Sequence, residues 1–82
     1  ALSRSRVMLK ECNWLDDIGP GRAVSVKLRS VSAPMPARVE MGSDGQADII
    51  LDTPQFGIAP GQAAVCYDGN RVLGGGWIMD AA

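Results

Sequence analysis

From Gly19 onward, glycine or proline interrupts the chain so often that no stretch sustains the apolar spacing of three and four that a helix needs over three turns. Alternation takes its place. Val7 to Cys12 reads as a first strand running out at Asn13-Trp14-Leu15, and the turn-rich Asp16 to Gly21 follows. Arg22 to Arg29 has period two, with Val24, Val26 and Leu28 on one face and Ser25 and Lys27 on the other. Pro34 and Pro36 lack the N–H that a central ladder requires, so the third strand is predicted only from Ala37 to Met41, with Ala37, Val39 and Met41 inward. Ser43-Asp44-Gly45 supplies a tight turn into Gln46–Leu51. A long loop from Asp52 to Gly61 then leads to a fifth strand, Gln62–Tyr67, a second Asp-Gly turn at Asp68-Gly69, and a sixth strand from Arg71 to Met79.

Six short antiparallel strands leave unpaired edges unless the sheet closes on itself. The expected fold is therefore all-β, a small closed antiparallel six-stranded β-barrel. Its predicted interior is Val24, Val26, Leu28, Val39, Met41, Ile49, Leu51, Val65, Tyr67, Val72 and Ile78, too full to hold a ligand. Eighty-two residues allow one domain at most, and a first residue of Ala1 rather than Met suggests a piece of a longer or processed chain. With 46% hydrophobic and 21% charged residues the composition is that of a globular domain, which excludes a disordered tail. No apolar run approaches the roughly 18–20 residues that span a bilayer, and the first residues lack a signal peptide's apolar core.

The absence of histidine removes the usual acid/base group near neutral pH and the commonest metal ligand. Cys12 and Cys66 are too far apart for a Cys-x-x-Cys site, so no metal centre is expected, and their apolar surroundings suit buried thiols of a reducing compartment. No nucleophile stands beside a base, so no catalytic residue is assigned. The net charge of −1 is the wrong sign for an autonomous nucleic-acid binder, but it hides an asymmetry. Up to Met41 the chain is basic, and beyond it Arg71 stands alone among five aspartates. Either a solvated mixed surface or a one-sided RNA contact would produce this.

Gly74-Gly75-Gly76 is followed by strand-like Trp77-Ile78-Met79 rather than a helix, so it reads as a bend where backbone passes close to backbone, not as a phosphate loop. Pro60-Gly61 reads as a turn that places Gln62 at a strand start. Trp14 and Trp77 suit either base stacking or packing against a core or another domain. Lys27 and Arg29 fall on one strand face near Pro34 and Pro36, the better RNA feature.

Asn13-Trp14, Val26-Lys27-Leu28-Arg29, Pro36-Ala37-Arg38-Val39, Asp52-Thr53-Pro54-Gln55, the run from Ala59 to Gly69, and Val72 to Ile78 occur together. In this combination the chain resembles the C-terminal domain of tRNA-specific 2-thiouridylases, which place sulfur on the wobble uridine of certain tRNAs. The resemblance implies a barrel like the second domain of translation elongation factors. Residues 1–82 would then be one barrel domain, the C-terminal fragment of a cytoplasmic multidomain tRNA-uridine 2-sulfurtransferase. ATP and a persulfide sulfur donor would be used by its absent catalytic and central domains, with a sulfur-relay protein as a further partner and no cofactor, metal or membrane here. It also implies that Arg29, Ser30 and Gln62 contact the anticodon arm of tRNA, although Ser30 stands where the family usually carries tyrosine. A purely structural docking barrel without RNA contact is the alternative.

Overall fold

The computed structural model describes residues 4–28 and 33–82. Among these the chain forms six strands and no helix: β1 (Arg4–Trp14), β2 (Arg22–Leu28), β3 (Met35–Met41), β4 (Ala47–Gln55), β5 (Ala63–Asp68) and β6 (Arg71–Ala81). They close in the order β1-β4-β3-β2-β5-β6, and every neighbouring pair is antiparallel. Closure leaves no edge strand, which is how so small a sheet satisfies its ladder groups. Antiparallel pairing throughout also gives the barrel two distinct rims. At the near rim β1, β3 and β5 begin and β2, β4 and β6 end; at the far rim the reverse holds.

The interior is apolar throughout, and no polar or charged residue is buried among the described ones. Val26, Val39 and Ile49 are wholly enclosed, and Val24, Leu28, Leu51 and Ile78 nearly so, as the alternation predicts. Each such side chain contributes about 1.5–3 kcal/mol before chain entropy is subtracted. Val7, Leu9, Ala64, Cys66 and Leu73 complete the core.

Several expectations are corrected. β5 runs in the opposite phase: Ala64 and Cys66 point inward, while Val65 and Tyr67 are only half-buried. Val72 is 42% exposed, and its neighbour Leu73 is enclosed instead. Met41 ends β3 at the far rim and is 45% exposed. β3 begins at Met35, so Pro36 lies within it; pairing toward β4 starts only at Ala37, a place where a missing donor is tolerated. β4 continues through Thr53 and Pro54 to Gln55, which pairs with Arg4, and the long loop shrinks to the segment beginning at Phe56.

The triple glycine is explained by closure. A Cβ on Gly75 would lie 2.0 Å from the Ala64 carbonyl oxygen, one on Gly74 2.2 Å from that of Asn13, and one on Gly76 2.7 Å from that of Lys10. β6 is therefore pressed between β5 and β1 so tightly that only hydrogen fits. Gly74 also takes a φ of +139°, and the inward phase of β6 switches between Leu73 and Ile78 across this segment. Opposite it, β1 carries a register shift between Lys10 and Asn13, with Glu11 at a φ of +52° and the Cys12 N–H donating to Gly45 at 2.9 Å.

Candidate nucleic-acid interface

Gln62 stands one residue before β5, at the near rim. Gly61 carries a φ of +89° that glycine alone adopts cheaply, its N–H donates to the Ile78 carbonyl at 2.9 Å, and Ile78 N–H donates back to the Gln62 carbonyl at 2.8 Å. The Pro60-Gly61 turn thus locks the Gln62 backbone to β6. The Gln62 side chain is half-buried, and its Oε1 is shielded from solvent without a hydrogen-bond partner among the described residues. An acceptor left in that state costs about 1–3 kcal/mol.

β2 arrives at the same rim. Leu28, its last residue, pairs with Ala64, two positions beyond Gln62. Arg29 and Ser30, which follow Leu28 in sequence, lie outside the described residues. The end of β2 and the start of β5 are therefore adjacent, while the positions of those two side chains are not part of the geometry.

The charge asymmetry of the sequence is resolved by pairing between the halves. Arg6 on β1 bonds Asp48 on β4 and lies 3.9 Å from Glu40. At the far rim, Arg22 Nη2 donates to Asp68 at 3.0 Å and Arg22 Nη1 to the Asp17 carbonyl at 3.1 Å, and Arg71 sits 3.1 Å from Asp16. Arg4, Lys10, Lys27 and Arg38 form no ion pair among the described residues. Two of these belong to the near half of the barrel: Arg4 opens β1, and Lys27 is the penultimate residue of β2.

Neither thiol is poised to react. Burial, with Cys12 nearby, pushes the Cys66 thiol up to about 12, and burial also raises Cys12. Gly74–Gly76 offers no cradle for ATP phosphates, because the places of its missing side chains are already occupied by carbonyl oxygens and it continues a strand. No group of three or more potential metal ligands occurs among the described residues.

A family model described as the aminomethyltransferase β-barrel domain matches residues 4–78, which takes in β1 to β5 and β6 as far as Ile78. The chain belongs to this family. It is 54% identical over 82 residues to the tRNA-specific 2-thiouridylase MnmA of Rhodospirillum centenum, covering 99% of this chain and 21% of that protein. The MnmA of Acidithiobacillus ferrooxidans is 52% identical over 80 residues, 95% of this chain and 23% of its own length. That of Zymomonas mobilis is 46% identical, covering 98% of this chain and 20% of its own. The chain thus spans about one-fifth of the relatives it matches.

Trp14 packs against the core with its Nε1 shielded and without a partner among the described residues, whereas Trp77 is 49% exposed. Of the two tryptophans, only the second presents a face outward. Phe56 is 62% exposed, and Tyr67, expected in the interior, also faces outward. The small residues Ala64 and Cys66, opposite the glycine segment, were the signal that would have found it.

Proposed function

We propose that this barrel is the tRNA-contacting C-terminal domain of an ATP-dependent 2-thiouridylase. In this reading it steadies the anticodon arm while the wobble uridine is thiolated by domains outside the chain, in the cytoplasm. Those domains use ATP and a persulfide donor fed by a sulfur-relay protein; this domain holds RNA. The observation that carries the reading is the identity, about half of all residues, to relatives named tRNA-specific 2-thiouridylases, with Gln62 standing at the rim where β2 ends. A carboxamide can satisfy itself on a base edge or a ribose hydroxyl, and Arg29, next after Leu28, adds a charge-assisted bond to phosphate. Two contacts give weak, salt-sensitive binding, so the rest of the enzyme supplies most of the affinity. The family description and the relatives' name point to different group transfers, which suits a barrel that binds rather than reacts.

A second reading has its own observation. Leu15, Val72 and Trp77 are exposed around the glycine segment, lining a shallow groove with Glu11, Asn13 and Val65, and such a surface suits packing on another domain. Titrating the labelled protein with an anticodon stem-loop RNA separates the two. Amide shifts at Gln62, Arg29 and Ser30 support the first; a silent near rim leaves only the second.

A further inference from the structure

The outer face of β2 and β5 carries a feature that the rim contacts do not use. Inward residues alternate along both strands, so Ser25 and Lys27 on β2 and Val65 and Tyr67 on β5 face outward. Cross-strand register sets Ser25 beside Tyr67 and Lys27 beside Val65, making Lys27 and Tyr67 diagonal neighbours. Between them lies a hollow of about 230 Å³, lined by Lys27, Pro34, Tyr67, Gly69 and Asn70. It runs along the ladder from the segment before β3 to the β5–β6 turn.

Three properties of this hollow converge. Its walls include a half-buried phenol ring and an exposed proline, two flat surfaces that accept a π-face. Its cation is uncompensated: Lys27 forms no ion pair among the described residues, and the carboxylate of Asp68 at the end of β5 is bonded to Arg22 at 3.0 Å. The outward positions of β2 and β5 otherwise carry no acid to repel a phosphate. At the far end the exposed Asn70 adds a carboxamide, able to donate and to accept.

We infer that this hollow is a nucleotide subsite for single-stranded RNA. A base lies against Tyr67 and Pro34, the adjoining phosphate meets Lys27 Nζ, and Asn70 reads the base edge or the ribose. Flat ring, isolated cation and carboxamide are the three groups that an unpaired nucleotide engages; a duplex would present no free base face to the ring. Tyr67 is five residues from Gln62, roughly 16 Å along a strand that rises about 3.3 Å per residue. RNA leaving the near rim would therefore cross this face within a few nucleotides. The inference rests on the RNA-binding reading and extends it from the rim to the wall of the barrel.

The test uses this protein, isotopically labelled, and a seven-nucleotide single-stranded RNA of mixed sequence. Saturating amide shifts at Lys27, Tyr67 and Asn70 are expected. Tyr67→Ala should weaken binding about tenfold and Tyr67→Phe should retain it, since stacking needs the ring and not the hydroxyl. Lys27→Gln, at an exposed position with no folding role, should flatten the slope of log K against log salt by about 0.7, one phosphate's share for a single strand. Shifts confined to the surroundings of Gln62, with both substitutions silent, would overturn the subsite and leave RNA binding at the rim standing. No shifts with either this RNA or the stem-loop would overturn both.

Discussion

The seam where β6 passes between β5 and β1 and the face where β2 meets β5 are built on opposite terms. Along the seam, Gly74, Gly75 and Gly76 are dictated by carbonyl oxygens 2.0–2.7 Å from where a side chain would begin. On the β2–β5 side, among the described residues Lys27 has no counter-ion and Gln62 Oε1 no hydrogen-bond partner, so the barrel gains little from either. Residues of the first kind specify the fold. Those of the second contribute little to it, and it is there that the proposal puts RNA contact.

Substitution should split the molecule along this line. Gly75→Ala is expected to be the most damaging change, lowering stability by about 4 kcal/mol or more, because the backbone of two strands would have to part. Thermal unfolding followed by circular dichroism would show it. Gly69→Ala is the control: a Cβ there meets nothing within 4 Å, and only the φ of +60° is strained, at about 1–2 kcal/mol. Equal losses at both sites would break the contrast.

Cys66 tests the seam's interior by pH. Burial raises its thiol from an ordinary value near 9 to about 12, so folding favours the protonated form. That contribution is complete below about pH 9 and is lost as the pH rises toward 12, by on the order of 1 kcal/mol per pH unit. Denaturant midpoints between pH 8 and 11 should fall less steeply in Cys66→Ala than in the parent protein; parallel slopes would show that the thiol is not protected.

Arg22→Ala should cost about 1 kcal/mol, because it removes the bond to Asp68 and the bond to the Asp17 carbonyl that tie the β1–β2 connection to the β5–β6 turn. A double-mutant cycle with Asp68→Ala would assign the ion pair's part of this. Gln62→Leu should leave stability within about 0.5 kcal/mol or raise it, since an unsatisfied acceptor is replaced by an apolar group. A loss above 1 kcal/mol would place Gln62 among the structural residues.

Strand number and closure were legible from the turn residues between apolar runs, and the inward face of β2 from the alternation of Val24, Val26 and Leu28 with Ser25 and Lys27. What misled was local geometry. In β5 the larger Val65 and Tyr67 suggest the inward phase, against the buried thiol expected at Cys66, yet the tight approach of Gly74 and Gly75 leaves the inside of β5 suited to the small Ala64 and Cys66. In β6 a single phase cannot hold across Gly74, so Val72 and Ile78 could not both be inward. Pro36 and Pro54 were read as loop because proline is barred from a central ladder, whereas in this barrel each sits near a strand end. Of the proposed contacts, Gln62 follows the Pro60-Gly61 turn as the sequence implies, one residue before β5 begins at Ala63. The shielding of its oxygen depends on packing that no local pattern reveals.

The central claim, that the near rim contacts RNA, is tested most directly by the affinity of this protein for a fluorescent anticodon stem-loop at low salt. The comparison is with Arg29→Gln combined with Gln62→Leu, under conditions where both proteins remain folded. The account predicts measurable binding by the parent, weakened at least tenfold in the double variant. Equal affinity of the two proteins would contradict it.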